Sequence, residues 1–141
     1  MEQKIIRGKR ILLVDDQPSV REALRMMLKF DGHRVTEAND GAEALDLFTK
    51  GQFDLVTTDF EMPVMKGDEL AVRIKKLAPK QPILMITAYG NELGDSENPV
   101  DSILNKPFTI DNLRGAIAKL LSNQHIPPIA LNRPTTTTGQ P

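Results

Sequence analysis

Three short stretches of this chain are apolar or nearly so, and each is cut off by a polar side chain. Ile11-Leu12-Leu13-Val14 runs into Asp15-Asp16, Phe53 to Thr58 runs into Asp59, and Pro82 to Ile86 runs into Thr87. Runs this short and this little alternated predict strands buried on both faces. An unpaired carboxylate is costly inside such a strand. Asp59 is therefore expected at a strand's end, where a cleft opens, and Pro63 breaks the chain soon after.

The segments between these strands have helical spacing. From Pro18, the residues Val20, Ala23, Leu24, Met27 and Leu28 repeat as one helix face, and Gly32 ends it. Asp40 can cap a second helix, carrying Gly41, Ala44, Leu45 and Phe48 on one side, and Gly51 stops it. A third helix is predicted with Gly67, Leu70, Ala71, Ile74, Leu77 and Ala78 on one side. Thr109 can cap a last helix with the stripe Leu113, Ala116, Ile117, Leu120 and Leu121. Arg34 to Ala38 alternates and suits an edge strand, and Ser102-Ile103-Leu104 is a brief fifth strand.

Residues 88–101 break this regularity. They contain Gly90, Gly94 and Pro99, and the acids Glu92, Asp95, Glu97 and Asp101 read as a solvated loop with at most a short or irregular helix. After Leu121 come Pro127, Pro128, Pro134 and Pro141 and the run Thr135 to Thr138, which read as a tail or linker. Ile126, Ile129 and Leu131 can dock on the domain but are too few for a second core. The expected organisation is a lead-in over 1–8, one domain over 9–121 and a tail over 122–141.

The totals bound the function. With 141 residues the chain holds one domain's core, and a formal charge of −1 gives no sign of nucleic-acid or membrane binding. Lys4, Arg7, Lys9 and Arg10 read as a solvated lead-in. The absence of cysteine excludes disulfides, thiolate catalysis and cysteine zinc sites. No apolar run spans a membrane, and Met1 to Arg10 lacks a signal peptide's apolar core, so a cytoplasmic protein is expected.

Strands alternating with helices predict an α/β fold: a doubly wound, five-stranded parallel sheet with helices on both faces. Ligands of such open sheets bind beyond the carboxyl ends of the strands. Asp15-Asp16, Asp59, Thr87 and Lys106 stand at four such ends. Clustered carboxylates repel unless a cation lies among them, and hard oxygen ligands with room for water suit Mg²⁺. A carboxylate beside a metal can also attack phosphorus and form an aspartyl phosphate. Mg²⁺, the Lys106 ammonium, the Thr87 hydroxyl and backbone N–H groups would then meet the phosphoryl oxygens.

Asp15-Asp16, Asp59-Phe60-Glu61-Met62-Pro63, Thr87-Ala88 and Lys106-Pro107-Phe108 together resemble the receiver domain of two-component response regulators, over roughly Lys9 to Leu121. The resemblance implies the flavodoxin-like strand order 2-1-3-4-5. It further implies that Asp59 accepts a phosphoryl group from a phosphohistidine on a sensor histidine kinase or histidine phosphotransfer protein. Asp16 would bind Mg²⁺ directly and Asp15 directly or through water, with Asp59 and the backbone carbonyl of Glu61 completing the set. Lys106 would pair with the phosphoryl oxygens, and Thr87 would move towards them and carry the switch outward. The Lys106–Pro107 bond is left open between trans and cis; the resemblance favours cis, which would aim the lysine into the cleft.

Three positions depart from the family. Ile103 stands where the switch partner is usually aromatic, the interval from Thr87 to Lys106 is short, and Lys66 replaces a common Asp or Asn before Gly67. The downstream partner or output domain is left open. Tyr89 either shields the cleft mouth from water or packs on the surface, and His33 and His125 have no ligand-like company. The competing functions are a receiver-like adaptor that works without phosphorylation and an aspartyl-nucleophile phosphatase. An enzyme of that kind typically carries a second Asp two residues after the nucleophile, where this chain has Glu61.

Overall fold

A computed structural model describes residues 5–90 and 99–125. It contains, in order, β1 (Arg10–Val14), α1 (Pro18–Phe30), β2 (Arg34–Ala38), α2 (Gly41–Lys50), β3 (Leu55–Thr58), α3 (Gly67–Leu77), β4 (Ile83–Thr87), β5 (Ser102–Asn105) and α4 (Ile110–His125). All strand pairs are parallel, in the order β2-β1-β3-β4-β5. The fold is the expected doubly wound sheet. The short helix anticipated between β4 and β5 falls largely on residues 91–98, outside the described residues.

Side-chain alternation across the buried strands divides the core in two. Leu12, Val14, Val56 and Ile83 face α2 and α3, where they meet Ala44, Leu70, Ala71 and Ile74. Ile11, Leu13, Leu55, Leu84 and Ile86 face the other way, against Leu24 and Leu28 of α1 and Leu113, Ile117 and Leu121 of α4. The continuous apolar runs thus mark strands with a helix layer on each face.

Local chemistry sets the helix starts. Asp40 caps α2 by accepting the Glu43 N–H at 2.8 Å, and Glu43 reaches back to the Asn39 N–H at 2.7 Å. Thr109 and Asn112 exchange side-chain-to-backbone bonds at the start of α4, at 3.0 and 3.1 Å. Gly32, at φ 79°, follows α1 in the left-handed conformation that glycine adopts without steric cost.

The stripes are narrower than the periodicity suggests. Ala23 is exposed, Leu77 is 59% exposed and Ala78 caps α3 from outside it. Helix α4 continues to His125, one turn past Leu121. Asp101 is not a freely solvated acid: its Oδ2 accepts the Ile83 N–H and the Lys75 ammonium, both at 2.8 Å, and so holds the start of β4. Nor is Arg10 only a lead-in charge. It opens β1 and grips Asp54 through its guanidinium at 3.1 and 3.2 Å. No helix among the described residues is long and apolar enough to cross a membrane.

Candidate functional site

Parallel registration brings the strand ends to one edge. The ladder continues one residue past each strand, into the polar positions themselves. The Asp15 N–H bonds to the Ala38 carbonyl at 3.3 Å, the Asp59 N–H to the Val14 carbonyl at 3.1 Å, and the Lys106 N–H to the Thr87 carbonyl at 2.9 Å. Each of these residues therefore has a sheet-fixed backbone and a side chain beyond the sheet. That combination gives a site on rigid elements.

Carboxylate oxygens of Asp15, Asp16 and Asp59 lie within 4.8 Å of one another. The Lys106 ammonium is 3.3 Å from Asp15 Oδ2 and 3.6 Å from Asp59 Oδ2. Asp15 is 1% exposed and Asp59 7%. Burial lifts the Asp59 carboxyl above its usual range; Lys106 pulls it down, Asp15 pushes it up, and the Phe60 N–H and Thr87 hydroxyl favour the ionised form. Three carboxylates against one ammonium leave two negative charges uncompensated. A hard divalent cation matches both that charge and the all-oxygen donor set, so the residues present fit Mg²⁺.

The loop after β3 is held tightly around Asp59. Its Oδ1 accepts the Phe60 N–H at 2.8 Å, and its backbone carbonyl accepts the Thr58 hydroxyl at 2.8 Å. Met62 and Met65 are buried among the residues of the α2/α3 core, and the Met65 N–H bonds to the Pro63 carbonyl at 2.7 Å across Val64, whose φ is 73°. This is a tight γ-type turn. Gly67 closes the loop by donating its N–H to the Phe60 carbonyl at 2.8 Å. A Cβ at Gly67 would run into the Asp59 carbonyl, so the third helix can start here only on glycine.

The cleft above these residues has a volume of about 290 Å³ and is lined by Asp16, Gln17, Asp59, Glu61, Tyr89 and Lys106, with Ala88. Thr87 is fully buried at the end of β4, and its hydroxyl accepts the Tyr89 N–H at 3.1 Å. Glu61 borders the cleft while its carboxylate pairs with Lys66 at 3.5 Å. Tyr89 meets the Phe60 ring edge-on at 6.4 Å, and the Lys66 ammonium lies 5.4 Å from that ring's centroid. Tyr89 thus lines the cleft and also packs on an aromatic neighbour. Ile103 lies outside the cleft, half-buried in β5 opposite Met85. The Lys106–Pro107 peptide bond is cis.

Gln17 and Arg21 did not stand out in the sequence. Gln17, the N-cap residue of α1, gives its N–H to Asp15 Oδ1 at 2.9 Å. Arg21 clamps the Asp15 carbonyl at 2.7 Å and Glu37 at 3.0 Å. The one available sign was the position of Arg21 on the first turn behind two acids. His33 is structural: it is buried, and its Nδ1 accepts the Lys9 N–H at 3.0 Å.

The model of the response regulator receiver domain family matches residues 11–118. The response regulator MprA of Mycobacterium sp. (strain KMS) is 37% identical over 115 residues, covering 79% of this chain and 50% of that protein. The chain thus spans about half the length of the curated relatives it matches. Among solved structures, the response regulator TrrA of Thermotoga maritima, in complex with Mg²⁺ and BeF, is 39% identical with a TM-score of 0.76, covering 80% of this chain and 99% of that one. The receiver domain of a Pseudomonas aeruginosa sensor histidine kinase, with a magnesium ion coordinated in its active-site cleft, is 29% identical with a TM-score of 0.75, covering 82% and 98%.

Proposed function

Because the chain belongs to the response regulator receiver domain family, a family of signalling domains, we propose that it is a phosphoacceptor switch whose acceptor is Asp59. The observation that carries this reading is the position of Asp59. It is a buried carboxylate between two further acids and one lysine, at the end of a sheet-fixed strand. The donor is a phosphohistidine on a sensor histidine kinase or histidine phosphotransfer protein.

In the transfer, an oxygen of Asp59 forms the new P–O bond as the P–N bond to the donor imidazole breaks, its electron pair staying on nitrogen. Asp15, Asp16, Asp59 and the Glu61 backbone carbonyl would hold Mg²⁺, which supplies charge stabilisation of the phosphoryl oxygens when bound. The loop from Phe60 to Gly67 keeps the acceptor from turning away. Lys106, already between Asp15 and Asp59, needs only a small shift to pair with the incoming group. The Thr87 hydroxyl accepts from Tyr89 and directs its proton at the Asp59 carboxylate, from which it can pass to a phosphoryl oxygen formed there.

The acyl phosphate carries close to two negative charges where the carboxylate carried one, and its bulk and added charge at a buried position bias a two-state equilibrium. Thr87 lies in register with Asn105, and Met85 with Ile103, so a shift of Thr87 is passed directly to β5. With isoleucine at position 103 the readout is a repacking of an aliphatic side chain rather than the turn of a ring. The altered face then changes partner binding. The phosphatase reading is disfavoured because the Glu61 carboxylate is engaged by Lys66.

Incubation with acetyl phosphate and Mg²⁺, read by intact mass, tests the assignment. The expected result is a gain of one phosphoryl group that disappears in Asp59→Asn and without Mg²⁺. An adduct that persists on Asp59→Asn would overturn it.

A further inference from the structure

A second, larger cavity of about 570 Å³ lies at the opposite end of the sheet, where the strands begin. Phe53, Ala78, Pro79, Pro82 and Leu121 give it an apolar wall, with Lys9, Asp54, Lys80 and Gln81 as the polar part of the lining. No side chain of the acceptor site contributes to it. Its volume is in the range that accommodates several side chains or a short peptide segment.

We propose that Ile126-Pro127-Pro128-Ile129-Ala130-Leu131, a segment of this chain's own tail, docks in this groove. Its position makes the contact easy. Leu121 forms part of the wall, and α4 ends at His125, about 6 Å further along the helix axis. The tail therefore starts about one turn from the groove, and six extended residues reach about 20 Å.

The chemistry of the segment matches the wall. It carries no charge, and its apolar character stops at Asn132-Arg133. Pro127 and Pro128 have no N–H to satisfy and favour an extended, left-handed chain that repeats every three residues. In that conformation Ile126 and Ile129 fall on one side and can enter the groove together. An aromatic ring among apolar neighbours, here Phe53, is a surface on which proline-rich segments dock with little loss of conformational freedom. The docked tail would join the end of α4 to the turn between α3 and β4, leaving the acceptor edge open. This inference is independent of the phosphoacceptor reading.

Because the chain has no cysteine, a thiol pair can be placed in it without background. In the full chain, Lys80→Cys with Ala130→Cys puts one thiol at the groove and one on the segment. The control is the same pair with Ile126→Glu and Ile129→Glu added, which keeps the tether and removes the apolar contact. Under mild oxidation the groove pair should form an intramolecular crosslink at least about tenfold faster than the control, as expected for a raised local concentration. Equal rates with and without the two glutamates would overturn the proposal. A crosslink found mainly between chains and rising with protein concentration would also overturn it, showing that a second copy's tail fills the groove.

Discussion

Asp31 and Asp59 are the same residue type at nearly the same depth, 4% and 7% exposed, yet their surroundings act on them in opposite directions. Asp31 follows α1 and takes two bonds from the Arg114 guanidinium, both at 2.9 Å. Those bonds hold its carboxyl below the usual range against the effect of burial, and Arg7 adds to them. Asp59 has one lysine at 3.6 Å, shared with Asp15, and burial lifts its carboxyl above the usual range. Asp31 is fully matched and serves to tie α1 to α4. Asp59 is left under-compensated, which a bound cation would relieve.

The largest expected effect separates the two outright. Asp59→Asn should abolish phosphoryl acceptance and leave the fold intact, whereas Asp31→Asn should still accept. Loss of acceptance in both variants, with both folded, would break the contrast.

Removing Asp31 should cost stability instead. Asp31→Ala removes both Arg114 bonds that tie α1 to α4, leaving Arg114 with Asp111 at 3.8 Å, and should lower the unfolding free energy measurably. Denaturant unfolding would measure it. Because the folded carboxyl is held below its ordinary 3.8, its contribution is present above that value and is lost as pH falls through the lower folded pKa. The variant should therefore converge on the wild type in acid. A gap unchanged at low pH would show that packing, not charge, makes Asp31 important.

At the acceptor edge the sign reverses. Asp16→Asn relieves repulsion among the three carboxylates, so in chelator the protein should gain about 1 kcal/mol and melt at a higher temperature. Added Mg²⁺ should stabilise the wild type and barely affect the variant. A melting temperature that stays the same or drops would mean the acids do not strain one another.

Smaller still is the effect of Thr57. Its hydroxyl is buried in β3 with no hydrogen-bond partner, so Thr57→Val should stabilise by about 1 kcal/mol or less in the same unfolding experiment. A loss of stability would indicate a partner for that hydroxyl, such as a buried water. The weakest expected effect concerns His33, whose imidazole burial keeps neutral, with a pKa below the ordinary 6.5. The unfolded chain takes up a proton first, so stability should begin to fall as pH drops below about 6.5 and stop falling at the folded pKa. His33→Gln should flatten that slope.

Much of this could be read from the chain because it depends on neighbours in sequence. Continuous apolar runs marked β1, β3 and β4, and polar residues at their ends marked the cleft. Asp40 and Thr109 capped the helices they precede, since a cap needs only a side chain three residues from an N–H. What escaped were pairings between distant residues. Arg114 lies 83 positions from Asp31, and Asp101 reads as one acid of a loop until the fold places it against Ile83 and Lys75. Leu77 continues the periodicity of α3 as its last residue, yet nothing among the described residues covers it and it remains exposed.

The sequence alone determined the alternation of strands and helices, the residues at the strand ends and, through the resemblance they carry, the kind of domain this is. These rest on short-range periodicity and on the cost of burying a carboxylate within a strand. The tertiary structure decided which carboxylate is neutralised by arginine and which is left to a single shared lysine. It also decided that Gly67 must be glycine and that a second groove opens beneath the sheet. Those outcomes depend on distances between elements far apart in the chain, and only the packed sheet fixes them.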